Sequence, residues 1–205
     1  MPSADNGKRG EISYLEPRGV ELLMSWGAKL QPDLILGGPI LSLTPQMLQQ
    51  YDLKGLVLDV DETLVPTSST EASEALLLWV EQIRQVAALW LVSNNLSRTR
   101  ISNIAKALNL PYLIAARKPS RQKLRQAVEG MKLPVEQVAM VGDRLFTDVL
   151  AGNRLGMFTI LVEPMVDPAV AARSYPVRSF EVWLSQSLGV SLPAKQQNLK
   201  NPDKS

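Results

Sequence analysis

Six residues could do chemistry together: Asp59 and Asp61, Ser93, Lys118, Asp143 and Asp148. Carboxylates that converge on one point repel one another, so they stay ionised together only beside a cation. The 205-residue chain has no histidine and no cysteine. That excludes a Ser-His-Asp triad, imidazole or thiolate metal sites, iron–sulfur clusters and disulfides. A cation held by oxygen alone is a hard one, and Mg²⁺ is the ion that fits. Asp59 and Asp61, two apart on an extended run, point to one side of it. One can attack as a nucleophile while the other transfers a proton. Lys118 would neutralise a bound phosphate and restrain the nucleophile. The Ser93 hydroxyl, with Asn94 and the backbone N–H groups after it, would hold phosphate oxygens near a helix start. The set describes phosphoryl transfer through an aspartyl-phosphate.

These residues need a scaffold that gathers them, and the hydropathy pattern supplies one. LVLDV (56–60), ALWLVS (88–93), YLIA (112–115), QVAMVG (137–142) and MFTILV (157–162) read as short buried strands. Between them, 71–85, 97–108, 120–130 and 145–154 read as helices, with Ser97 and Ser120 as caps and Gly130 as a helix end. Strands alternating with helices of this length predict an α/β domain, a parallel sheet of five strands covered on both faces. Ligands of such sheets bind beyond the carboxyl ends of the strands, where all the candidate residues fall.

The predicted organisation is a disordered lead (1–15), an N-terminal extension (16–54), a catalytic domain (55–192) closed by a helix over 178–188, and a polar tail (193–205). Thr44 followed by Pro45 marks a short helix within the extension, where Met47, Leu48 and Tyr51 would share a face. Pro32, Gly37, Gly38 and Pro39 predict irregular chain before it. The extension is apolar enough either to pack on the core or to lie on a membrane, with Leu22, Leu23 and Trp26 facing lipid in the second case. The net charge of +2 is too small to argue for nucleic acid. No apolar run approaches the roughly 18 residues of a bilayer span, and the polar start lacks the apolar core of a secretory signal. A cytoplasmic protein, at most peripheral to a membrane, is the expectation.

DVDET (59–63), VSNN (92–95), Lys118 in ARKPS and GDRLFTD (142–148) resemble, in order and spacing, the four motifs of the haloacid dehalogenase (HAD) superfamily. The resemblance implies a three-layer α/β/α Rossmann-like core. It makes Asp59 the nucleophile and Asp61 the general acid/base. It puts Mg²⁺ on Asp59, the backbone carbonyl of Asp61 and Asp143, with Asp148 in support, and phosphate on Ser93 and Lys118. The second aspartate marks phosphatases rather than dehalogenases. The gaps from Asp59 to Ser93 and from Ser93 to Lys118 leave no room for a cap domain, so the site should be open to a bulky substrate. The stretch from about Leu30 to Val162 looks like the YqeG branch, subclass IIIA. That branch is similar to phosphatases that convert phosphatidylglycerophosphate to phosphatidylglycerol. The lipid headgroup as substrate comes from that likeness alone; a phosphoprotein, nucleotide or sugar phosphate would suit the same chemistry. So would a phosphate-binding regulatory module without turnover, and Asp61 is the residue that argues against it. Arg117 and Arg144 could meet an anionic headgroup, and Glu62 adds a charge beside the site.

Overall fold

Four runs of apolar residues make the middle of the sheet. In the computed structural model, which describes residues 27–165, they are β2 (Gly55–Leu58), β3 (Ala88–Val92), β5 (Val138–Gly142) and β6 (Phe158–Leu161). β2 and β5 are buried along their whole length, as parallel strands covered on both faces must be. Two short strands complete the sheet, β1 (Leu34–Ile35) and β4 (Tyr112–Leu113). The order is β1-β6-β5-β2-β3-β4, and every pairing is parallel.

Side chains alternate across this sheet and so build two cores. Leu56, Leu58, Leu89, Leu91, Ala139, Val141 and Ile160 face a layer made by α1 (Pro45–Gln50), α2 (Glu74–Arg84) and α3 (Arg98–Leu108). Val57, Val92, Val138 and Met140 face α4 (Gln122–Met131) and α5 (Leu150–Leu155). The result is the expected three-layer α/β/α arrangement, and no inserted domain interrupts the described residues.

The expected five strands are six, because the N-terminal segment contributes one. Leu34 and Ile35 pair with Ile160 and Leu161 of β6. The carboxylate of Asp33 fastens this edge: its Oδ2 accepts from both the N–H and the Oγ1 of Thr159 at 2.8 Å. Leu30, Ile40, Leu43 and Leu48 of the same segment are buried, and Trp79 Nε1 on α2 donates to the Leu43 carbonyl at 2.8 Å. Thr44 caps α1 as expected, its Oγ1 accepting from the Met47 N–H. Leu48 is fully buried, Met47 partly so, and Tyr51 is exposed at the end of the helix, its ring 5.0 Å from that of Phe158.

Several helix ends differ from the sequence reading. α2 starts at Glu74, where the Ser73 side chain accepts from the Leu76 N–H. Ser97 does precede α3, yet its side chain makes no capping bond; Asn95 Oδ1 instead accepts from the Ser97 N–H at 2.8 Å. α4 is preceded by Arg121, not Ser120, and it runs past Gly130 to Met131 before Lys132 turns it at φ 57°. Gly130 is needed inside the helix because the Trp90 ring lies where its Cβ would be, 2.4 Å from Cη2 and Cζ3. The helix expected over 145–154 is a π-helical turn (Leu145–Val149) that continues into α5. The helix expected over 178–188, the lead and the tail lie outside the described residues, as do Leu22, Leu23 and Trp26.

Candidate active site

Register brings the polar ends of the strands level. Leu58 pairs with both Leu91 and Val141, so Asp59, Ser93 and Asp143 all lie one or two residues beyond the same rung. The Asp59 N–H extends the ladder by one bond, to the Val141 carbonyl at 2.9 Å. Val60 then dips into the core, fully buried, while the chain turns tightly: the N–H groups of Leu64 and Val65 both donate to its carbonyl. Asp59 is thereby left on the inner side of the turn and Asp61 on its rim.

Lys118 is the centre of the arrangement. Its ammonium donates to Asp59 Oδ1 at 2.6 Å and to the Val92 carbonyl at 3.3 Å, and it stands 2.6 Å from Asp148 Oδ1. All three side chains are buried. Asn94 sets the lysine's backbone: its Oδ1 accepts from the Lys118 N–H at 2.7 Å and its Nδ2 donates to the Lys118 carbonyl at 3.2 Å. Asn94 also lines the cavity above, so it both borders the site and fixes the lysine.

Asp143 follows β5 and receives the Thr63 hydroxyl at 3.3 Å. Asp148 sits in the π-helical turn, where its Oδ2 accepts from the Arg144 N–H at 3.2 Å. Oxygens of Asp59, Asp143 and Asp148 lie within 4.8 Å of one another. One lysine therefore pairs with two of three clustered buried carboxylates. The electrostatic consequence is visible on two of them. Burial pushes the Asp59 carboxyl up to about 7, with Asp148 adding to the rise and Lys118 opposing it. Burial, then the charges of Asp148, Asp59 and Glu62, push Asp143 up to about 8. Burial works against the charge of Lys118, but Asp148 and Asp59 outweigh it and hold the ammonium above the ordinary lysine range. A trio of closely spaced oxygen donors, short of positive charge, fits a hard divalent cation.

Asp61 keeps different company. Ser93 Oγ donates to its Oδ2 at 3.0 Å, and Asn95 Nδ2 reaches its Oδ1 at 3.4 Å. The Arg100 guanidinium closes an ion pair on Oδ1 from α3. The carboxylate of Asp61 is thus not one of the three that cluster for a cation. Ser93 is fully buried and also accepts from the Asn95 N–H at 2.9 Å. Its hydroxyl stands behind Asp61 and is absent from the residues that line the cavity. That cavity, about 240 Å³, is bordered by Asp59, Asp61, Glu62, Asn94, Lys118 and Arg144, with Thr67 and Thr147 beside them. Glu62 occupies its rim with φ 61°, and its carbonyl accepts from the Met165 N–H.

Arg100, Thr67 and Thr147 were not among the residues picked from the sequence. For Arg100 no spacing signal existed, since it lies on a helix 39 residues beyond the carboxylate it meets.

Residues 115–181 match a protein-family model described as "HAD-hyrolase-like". The chain is 38% identical over 127 residues to "Probable phosphatase YqeG" of Bacillus subtilis, an alignment spanning 62% of this chain and 73% of that protein. The chain belongs to the haloacid-dehalogenase-like phosphatases. It is also 30% identical over 159 residues to the chloroplastic phosphatidylglycerophosphate phosphatase 1 of Chlamydomonas reinhardtii, covering 72% of this chain and 59% of that one. Among solved structures, the cobalt-bound deoxy-D-mannose-octulosonate 8-phosphate phosphatase of Haemophilus influenzae matches with a TM-score of 0.44 and 12% identity, over 68% of this chain and 91% of that chain. A HAD-type phosphatase takes a phosphorylated substrate. No helix among the described residues is long and apolar enough to cross a membrane.

Proposed function

We propose that this phosphatase hydrolyses a phosphomonoester through an aspartyl-phosphate on Asp59. The observation that carries the reading is the contact of Lys118 Nζ with Asp59 Oδ1 at 2.6 Å inside a buried cluster. It orients the carboxylate of a residue that borders the cavity, beside a cation that a phosphate dianion would also meet. Asp59 attacks phosphorus, forming a new P–O bond. The ester P–O bond breaks, and a proton from Asp61 goes to the departing oxygen. Water then attacks the phosphorus of the acyl phosphate and gives its proton to Asp61. The Asp59–phosphorus bond breaks, and inorganic phosphate leaves.

Asp59, Asp143 and Asp148, with the backbone of Asp61, are the residues that would hold Mg²⁺. The bound ion would neutralise the phosphoryl oxygens and the crowded carboxylates. Lys118 supplies the remaining positive charge. Asn94 sets the height at which that ammonium stands, and Ser93 orients Asp61.

As substrate we infer phosphatidylglycerophosphate. Its support is the similarity to phosphatidylglycerophosphate phosphatases, together with an uncapped cavity bordered by the exposed Arg144. Contact with a membrane surface would then be peripheral. The test is phosphate release from a panel containing phosphatidylglycerophosphate, p-nitrophenyl phosphate, a phosphopeptide, a nucleotide and a sugar phosphate, with Mg²⁺ and with EDTA. Turnover of the lipid well above the soluble esters is expected, abolished by EDTA and by Asp59→Asn. Preference for a soluble ester would remove the lipid assignment, and an active Asp59→Asn would remove the covalent mechanism.

A further inference from the structure

Arg100 is nine-tenths buried, yet it belongs to a helix whose neighbouring residues Arg98 and Thr99 face solvent. All three nitrogens of its guanidinium are used. Nη1 pairs with Asp61 Oδ1, Nε donates to the Ser69 carbonyl at 2.7 Å, and Nη2 donates to the Pro66 carbonyl at 3.0 Å. A planar fork with fixed N–H directions can meet a carboxylate and two carbonyls only if all three are held in a set relation to one another. The two carbonyls belong to the loop 59–73 that leaves β2 and borders the cavity through Thr67. Burying an arginine is costly unless its charge is paired and its N–H groups are bonded, and here both conditions are met by the rim of the site.

We propose that Arg100 is a positioning residue for proton transfer: it holds the Asp61 carboxylate at the departing oxygen and ties the 59–73 loop down around it. This rests on the assignment of Asp61 as the proton donor in the proposed mechanism. Ser93 and Asn95 also touch Asp61, but both come from the turn after β3. Backbone bridging ties Asp61 to Val65, but it is Arg100 that joins the Asp61 side chain to the carbonyls of Pro66 and Ser69 further along its own loop. Without it, Asp61 could swing with that loop, while Asp59, Lys118, Asp143 and Asp148 would keep every contact described above. The defect should therefore fall on the two proton transfers of Asp61, not on binding of the phosphate. Of the two, only release of the leaving group depends on the ester, and kcat/KM reads that step without the later hydrolysis of the acyl phosphate.

Two aryl phosphates separate these effects, because p-nitrophenolate leaves readily without a proton and phenolate does not. For Arg100→Gln, kcat/KM on phenyl phosphate should fall by about 100-fold, within the range a positioned acid contributes. On p-nitrophenyl phosphate kcat/KM should fall less than about 10-fold. Arg100→Lys keeps one charged donor for Asp61 and should restore kcat/KM on phenyl phosphate by roughly 10-fold relative to the Gln variant. If Arg100→Gln does not fold, the Lys variant decides: its loss in kcat/KM must still be larger on phenyl phosphate. Equal losses of kcat/KM on both esters, or unaltered kcat/KM, would overturn the proposal while leaving the phosphatase mechanism standing. A wild-type protein that hydrolyses neither ester would overturn both.

Discussion

Gly142 ends β5 with no room for a side chain, because Asp148 lies against it: a Cβ there would stand 2.3 Å from Asp148 Oδ2 and 2.4 Å from Cγ. The absence of one methyl group lets a carboxylate from the following turn fold back over the strand end. Gly142→Ala must displace Asp148, since the strand is locked between β2 and β6. We expect Mg²⁺ affinity to fall by 10- to 100-fold, the range seen when groups supporting a metal ligand are disturbed. Titration calorimetry of the variant against wild type checks this; equal affinities would mean that Asp148 does not serve the ion.

Lys118 forms ion pairs with both buried carboxylates, Asp59 and Asp148. Lys118→Met keeps the volume and removes the charge, leaving two buried acids without their partner. In EDTA the variant should lose about 3 kcal/mol of stability, the lower end for breaking a buried pair. Urea unfolding measures it. Mg²⁺ should recover part of the loss but none of the activity. A variant as stable as wild type in EDTA would contradict this account.

Those acids also set a pH dependence. The carboxyls of Asp59 and Asp143 are raised from 3.8 to about 7 and about 8, so between these limits the native state holds protons that the unfolded chain has released. Their contribution to stability is complete below about 4 and is lost as pH climbs through 7 and 8. Metal-free protein should therefore melt at lower temperature at pH 8.5 than at pH 6. Saturating Mg²⁺ should raise the melting temperature more at pH 8.5, where it no longer competes with protons. A metal-free melting temperature that rises over this interval would contradict the account.

Helix propensity favours replacing Gly130 by alanine, by up to about 1 kcal/mol. Packing predicts the opposite. The new Cβ would meet the Trp90 ring, which sits on β3 beneath α4 and is too rigid to bend aside. Gly130→Ala should destabilise the protein by about 1–3 kcal/mol, as overpacked cores do. A gain in urea midpoint would show that the ring has room to shift.

The sheet's interior and the clustered carboxylates were legible for one reason: unbroken apolar runs mark strands buried on both faces, and acids directly after them stand out. β1 was not legible. Leu34 and Ile35 carry no alternation of their own, and the strand exists because β6 offers them an unpaired edge and Thr159 a partner for Asp33. Gly130 reads as a helix end in the sequence because a glycine's local meaning is flexibility, whereas in the fold its meaning is the space needed by Trp90, forty residues earlier. Arg100 was invisible for the same kind of reason. Its role is written in a contact across the fold, and on its own helix it reads as one more polar position. Ser93 stands out in the sequence at a strand end, but which neighbour takes its hydroxyl is decided by how Asp61 turns at the rim.

Both outer strands of the sheet, β1 and β4, are two residues long. Among the described residues the sheet therefore offers at each side only a stub of unpaired backbone, too short to template a foreign strand. Four long apolar strands are a hazard for self-association when an edge is left open. By ending in two stubs, the described sheet keeps its adhesive middle strands away from an open edge.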